Sequence, residues 1–218
     1  MTRFLTRYDH PVTTTGRRYR DQSAEERHAS RRAKIVDAAV ELFGSDAGYA
    51  GTSIEQLCAA AGVSTRNFYE HFKNREILLL ALHDELNGRA FEAVGQAIAT
   101  VDPLDLEARA HAGIRAYFEV MTSDKRWARI ALVESVGVSP TAEQHRRDAQ
   151  DRFATLIGFE ADRLAAANVI PQRDFGLTAV AIVGAINGLI NTWTANEDFV
   201  VDDVVTTAVE VFVAALTR

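Results

Sequence analysis

A single cysteine, Cys58, stands in 218 residues, which excludes an internal disulfide. Prolines number only 4, and no stretch alternates convincingly as a strand would. With 47% hydrophobic residues, that scarcity points to an all-α chain with a real core. Long apolar runs are missing: the longest, 180–190, is broken by Gly184, Asn187 and Gly188 and is too short to cross a bilayer. The charged N-terminal segment has no apolar core, so no secretory signal is expected and the cytoplasm is the expected compartment, with no membrane partner. No glycine loop resembles a phosphate cradle, and Ser and His occur in no pattern suggesting a nucleophile, so an enzyme is not expected. His83 is followed by Asp84 and Glu85, but adjacent helical residues point in different directions; neither a metal nor a cofactor is expected.

What is present is an uneven distribution of charge. Residues 1–75 carry 12 Lys+Arg against 9 Asp+Glu, a net of +3, whereas residues 76–218 carry 12 against 21, a net of −9; together they make the overall −6. The basic part sits where phosphate contacts would form, and the acidic remainder would stay off a polyanion. Residues 1–22 hold Arg3, Arg7, Arg17, Arg18 and Arg20 without apolar periodicity. They read either as a disordered tail or as a basic arm following DNA.

The most informative stretch is TSIEQLCAAAGVSTRNFYEHFKNRE, residues 52–76. Ile54, Leu57, Cys58 and Ala61 recur at helical spacing. Thr52 with Glu55, or Ser53 with Gln56, forms a capping box at its start. Gly62 permits a sharp turn, Val63 plugs the corner, and Ser64 caps a second helix. Phe68 and Phe72 face inward there, leaving Thr65, Arg66, Asn67, Tyr69 and His71 outward. This is a helix-turn-helix whose second helix suits a major groove. Arg66 and Asn67 are candidates for base edges and Thr65 for a thymine methyl or a phosphate. Tyr69, His71 and Arg75, with Thr52 or Ser53, are candidates for phosphates. Cys58, facing inward, should be a buried and inert thiol.

On these residues the chain resembles the TetR family of transcriptional regulators. The resemblance covers about residues 31–80: Leu42-Phe43-Gly44, Gly48-Tyr49, Thr52-Ser53, Ala61-Gly62-Val63-Ser64, Phe68-Tyr69, His71-Phe72 and Arg75-Glu76. It departs at Arg75, where the family often has lysine, and at Cys58, where it usually has alanine. The resemblance implies a dimer that binds a near-palindromic double-stranded operator as a repressor. It further implies an effector that favours a wider spacing of the recognition helices. An activator, or a regulator that binds DNA without a ligand, is the alternative.

About nine helices are expected: an N-terminal three-helix DNA-binding domain at 23–73, and a larger helical effector-binding and dimerisation domain at 74–218. Asp102-Pro103 should open a helix to about 122, Asp124 a short one, and later helices should span about 142–167, 175–195 and 202–216. Small residues at Ala181, Gly184 and Gly188, in a helix ending at Trp193, suit close helix pairing. With Val204, Ala208, Val211 and Phe212 of the last helix they form either a four-helix dimer interface or an intramolecular pair. Phe91, Tyr117, Phe118, Met121 and Trp127 are candidates for the walls of an effector pocket. His111 and Asn187 or Asn191 are candidate polar anchors for it, although either asparagine could equally bond across a dimer.

Overall fold

The computed structural model describes residues 23–196 and 199–218; the basic segment 1–22 lies outside them. Ten α-helices and no strand occur among the described residues. Ser23 and Glu26 close the expected capping box on α1 (Ala24–Phe43). A single turn, α2 (Gly48–Gly51), precedes α3 (Ile54–Ala61) and α4 (Thr65–His71). Helix α5 (Arg75–Ala99) leads into α6 (Leu106–Thr122), then α7 (Lys125–Arg129), which continues as a π-helical turn, Ile130–Glu134. The chain ends with α8 (Pro140–Ala166), α9 (Gly176–Ala195) and α10 (Val201–Thr217). The helix beyond the nine expected is α2, too short to show a period.

One helix starts later than Asp102-Pro103 predicts. Asp102 does not cap α6: its carboxylate accepts from the Leu104 amide in the preceding turn, and Asp105 caps the helix by accepting from the Ala108 amide. At the far end of α8, Asn168 adopts a left-handed φ of 58°. The next amide, of Val169, then bonds back to the Leu164 carbonyl. Asparagine tolerates that conformation better than most residues, so the helix stops there.

Three apolar clusters hold the fold. The first joins Ile35, Ala39 and Phe43 of α1 to Leu57, Cys58 and Ala61 of α3 and to Phe68 and Phe72, closed by Leu78, Leu79 and Leu82 of α5 and by Ile130. The second collects Leu86, Ala90 and Val94 farther along α5 with Ile114, Phe118 and Met121 of α6, Ile190 of α9, and Val204 and Ala208 of α10. The third lies between α8, α9 and the end of α10, around Leu164, Phe175, Ile182 and Leu216. At about 1.5–3 kcal/mol for each large side chain fully buried, the leucines of α5 tie the first cluster firmly to the second.

Helix α9 is long and apolar enough to cross a membrane by length and composition, with a mean hydropathy of 1.4, although its central run alone had looked too short. Its apolar residues divide between two faces. Ala179, Ile182, Val183 and Ile190 are buried, whereas Leu177, Val180, Ala181, Gly184 and Gly188 are exposed.

Candidate DNA interface and buried cavity

The corner between α3 and α4 is built from local hydrogen bonds. Ser53 and Gln56 form the capping box of α3: the Gln56 amide donates to Ser53 Oγ at 3.2 Å, and Gln56 Oε1 accepts from the Ser53 amide at 2.7 Å. Of the two registers, this is the one adopted. Gly62 sits at φ 62°, a conformation that costs an L side chain about 1–2 kcal/mol. That turn lets the Val63 amide reach the Cys58 carbonyl. Ser64 Oγ accepts from the Asn67 amide at 3.2 Å and starts α4. Phe68 and Phe72 then enter the first cluster, which fixes the rotation of α4.

That rotation leaves Thr65, Arg66 and Tyr69 exposed and Asn67 half-buried. The Arg66 side chain is 89% exposed and lies 3.4 Å from Glu70, one helical turn on. Such a pair contributes little to stability, so the guanidinium is held ready at small cost to any partner that displaces Glu70. Thr65, Arg66 and Tyr69 thus share one accessible face of a short helix, with Asn67 half-buried beside it. The Cys58 thiol is buried, and burial raises its pKa.

Three candidate phosphate contacts are placed otherwise than their residue types suggested. Thr52 is only 2% exposed and its hydroxyl donates to the Gly48 carbonyl at 2.7 Å, so it closes α2 instead of facing solvent. Arg75 turns inward: its Nη1 donates to the Tyr49 carbonyl at 2.9 Å and also to that of Thr52. Its guanidinium carbon lies 4.9 Å from the Tyr49 ring centre. His71 packs on His28, with ring centres 4.0 Å apart, and both of its ring nitrogens are buried. Burial and the neighbouring His28 and Arg31 lower its pKa, so the ring is neutral at pH 7. Each is a support of the motif in this conformation, because each inward partner lies closer in space than sequence spacing reveals.

Glu134 was not singled out by sequence. It ends the π-helical turn and reaches into the N-terminal motif, where its Oε2 accepts from the Tyr49 amide at 2.8 Å. Its Oε1 accepts from Arg129 Nε at 2.9 Å. Gly48, at φ 62°, leaves the room: a Cβ there would lie 2.5 Å from Glu134 Oε2. Arg126 adds a second link from α7 to Glu41 of α1. Both contacts join the motif to the helices that follow.

Between α5, α6, α8, α9 and α10 lies a cavity with about 790 Å³ of non-atom space, part of it continuous with solvent. Its walls are almost wholly apolar, including Val94, Ile98, Ile114, Phe153, Leu156 and Ile186. Tyr117 lines it and donates to Asn187 Oδ1 at 2.9 Å. Burial raises the phenol pKa and keeps it protonated. Arg109 and Glu160 also line the cavity and are paired at 2.7 Å, with Arg163 on the same carboxylate. Burial alone would raise the Glu160 pKa, but hydrogen bonds from Arg163 and Arg109 outweigh it and hold the carboxyl below its ordinary value.

Of the expected cavity residues, Tyr117 and Asn187 line this space, and Asn191 lines a smaller neighbour. The others do not. Phe118 and Met121 are core residues, each 1% exposed, and His111 faces solvent. Phe91 packs edge-on against the wall residue Phe153 without lining the void, and Trp127 packs between the first two clusters. Helix α8 supplies much of the wall through Phe153, Leu156 and Ile157, which an otherwise polar helix had concealed. Of the candidate interface residues, Ala181, Gly184, Gly188 and Val211 are exposed and Trp193 is half-buried. Val204 and Ala208 are corrected to core positions, and Phe212 lines the cavity, because α10 turns that side toward α6 and α9.

Residues 35–82 match the family described as "Bacterial regulatory proteins, tetR family". The HTH-type transcriptional regulator EthR of Mycolicibacterium smegmatis is 30% identical over 166 residues, covering 74% of this chain and 73% of that protein. The chain belongs to the TetR family. It is accordingly a DNA-binding transcriptional regulator and not an enzyme. The fatty acid metabolism regulator protein of Bacillus subtilis is 22% identical over 165 residues, 75% of this chain and 84% of that one. Among solved structures, the FadR regulator from Bacillus subtilis in complex with stearoyl-CoA superposes with a TM-score of 0.74 at 21% identity, covering 85% of this chain and 98% of that one.

Proposed function

We propose that this TetR-family protein is a cytoplasmic homodimeric repressor, released from its operator by a small, largely apolar effector held in the cavity between α5, α6, α8, α9 and α10. The observation that carries the regulatory half is the exposed α4 face of Thr65, Arg66 and Tyr69, with Asn67 half-buried beside it, seated by the buried Phe68 and Phe72. Arginine suits guanine and asparagine suits adenine, each through two hydrogen bonds. Ser53 and the amides of α3 hold a flanking phosphate.

A second copy is required, because one seven-residue helix reads too few base pairs and paired helices read successive turns of a near-palindrome. The face of α9 supports this reading. Leu177 is 87% exposed, Val180, Ala181, Gly184, Gly188 and Val211 are also exposed, and nothing lies within 4 Å of a Cβ built at either glycine. Two copies of α9 can approach closely there, with α10 alongside, as a four-helix interface.

The effector reading rests on the cavity's apolar walls and its few polar groups, Tyr117–Asn187 and Arg109–Glu160. A ligand with an acyl or similar lipophilic body satisfies both, and the stearoyl-CoA bound by the similar FadR lends support. Such a ligand releases DNA only if it binds the released state more tightly than the DNA-bound one. The test is titration of stearoyl-CoA, and of shorter acyl-CoAs, into preformed protein–operator complex, read by fluorescence anisotropy. Saturable release, weakened by Ile114→Trp within the cavity, is the expected result. Release insensitive to that substitution would contradict the cavity as the effector site.

A further inference from the structure

Helices α5 and α8 bring His83 and Asp84, consecutive on α5, together with His145, which lies 61 residues beyond Asp84 in the sequence. His83 is 3% exposed, and its Nδ1 is buried with no hydrogen-bond partner in the protein. The His145 ring, from α8, lies with its centre 5.6 Å from that of His83. Its Nε2 is 2.6 Å from Asp84 Oδ1. One donor atom from each of the three residues lies within 4.8 Å of the other two. A buried imidazole nitrogen without a partner in the protein is an exception that calls for an explanation, a bound ion being one.

We propose that His83, Asp84 and His145 form a site for a divalent transition-metal ion of the zinc, nickel or cobalt type, which would clamp α5 to α8. Two imidazoles and one carboxylate suit these borderline ions, whereas magnesium and calcium prefer oxygen alone. Three protein ligands leave a further position for water. Bonds of about 2.0–2.2 Å in tetrahedral geometry need donors roughly 3.4 Å apart. Asp84 Oδ1 and His145 Nε2, now 2.6 Å apart, must therefore part slightly to admit the ion, while the wider separations, at most 4.8 Å, must close. His145 and Asp84 have the freedom to do so, because their side chains are 29% and 61% exposed. His83 and Asp84 are neighbours on α5, so the ion sits off the edge of that helix, where α8 completes the set.

Arg146 is a cation close enough to act on His83, and its guanidinium is turned onto Glu143 at 3.0 Å, which offsets its repulsion of an ion. The small cavity beside His83 shares Tyr117, Phe153 and Asn187 with the larger one. An ion clamping α5 to α8 therefore stiffens one wall of both.

The test uses full-length, chelator-stripped protein. Cobalt(II) binding is followed by visible absorption, zinc displaces it, and thermal melting is recorded with and without zinc. His145→Gln and Asp84→Asn alter partly exposed side chains and spare the buried His83. His28→Gln serves as a control for the other close histidine pair, His28–His71. The expected result is one ion per chain and a raised melting temperature in wild type and His28→Gln, with affinity at least about tenfold weaker in His145→Gln and Asp84→Asn, a loss that even outer partners of metal ligands command. No saturable binding by wild type would overturn the assignment. So would equal affinity in wild type, His145→Gln and Asp84→Asn, since that would place the ion elsewhere.

Discussion

Removing the Glu134 carboxylate should loosen the joint between the DNA-binding motif and the rest of the protein by a calculable amount. Glu134 is 12% exposed in its side chain and accepts from the Tyr49 amide at 2.8 Å and from Arg129 Nε at 2.9 Å. Truncation to alanine leaves the amide without an acceptor; a hydrogen bond to a charged group contributes about 1.5–3 kcal/mol. Arg129 is more than a third exposed, so its share is screened and adds little. For a chain of this size, about 2–4 °C of melting temperature accompanies each kcal/mol, so Glu134→Ala should lower the melting point by roughly 3–12 °C. Glu134→Gln keeps an acceptor oxygen and should lose less. Gly48→Ala should be destabilising in its own right, because it places a Cβ 2.5 Å from Glu134 Oε2 at a φ of 62°. In the double variant Gly48→Ala/Glu134→Ala, however, the clash is gone, so the two effects should sum to less than their separate values. Urea unfolding of the four proteins measures this cycle. Strict additivity, or wild-type stability in Glu134→Ala, would refute the joint.

Further outcomes follow from the same geometry. Arg75→Ala should lower the unfolding free energy as well as DNA affinity, because it removes two carbonyl contacts and the stacking on Tyr49; unchanged urea unfolding would return Arg75 to a purely external role. The His71 pKa lies below its ordinary 6.5, so the folded state binds fewer protons than the unfolded one. Its contribution is complete above about pH 6.5 and is lost as the pH falls from there toward the folded value. His71→Gln should flatten the decline of stability between pH 7 and 5, and an identical slope would count against the assignment. Gly184→Arg meets open space in the single chain, so the variant should fold yet elute as a monomer in size-exclusion chromatography with light scattering. A dimer in that variant would move the interface elsewhere.

The helix-turn-helix was legible in sequence because its determinants are local. Ser53, Gly62 and Ser64 act on amides within a few residues, and Phe68 and Phe72 set the facing of α4 by spacing alone. What escaped was decided by distant partners. Thr52 and Arg75 are polar residues in a suitable place, but Gly48 and the Tyr49 carbonyl claim them. Phe118 and Met121 differ little from Tyr117 in type, yet only Tyr117 faces the void, because a fraction of a helical turn separates core from cavity. Helix α8 carries charges on most of its surface, so Phe153, Leu156 and Ile157 did not stand out as a wall. His83 and Asp84 did not suggest a metal until α8 delivered His145 beside them. Likewise, only packing shows which side of α10 faces inward.

Specific regulation by this protein depends on the outer face of α4 reading a particular DNA sequence. The most direct test is equilibrium binding of the purified protein to DNA from upstream of its own gene, with random duplex as competitor, wild type beside Arg66→Ala. Wild type should bind tightly and resist the competitor, while Arg66→Ala should lose about 1–3 kcal/mol of discrimination and retain its fold. If Arg66→Ala kept the full preference for that DNA over random duplex, base reading by this face of α4 would be contradicted.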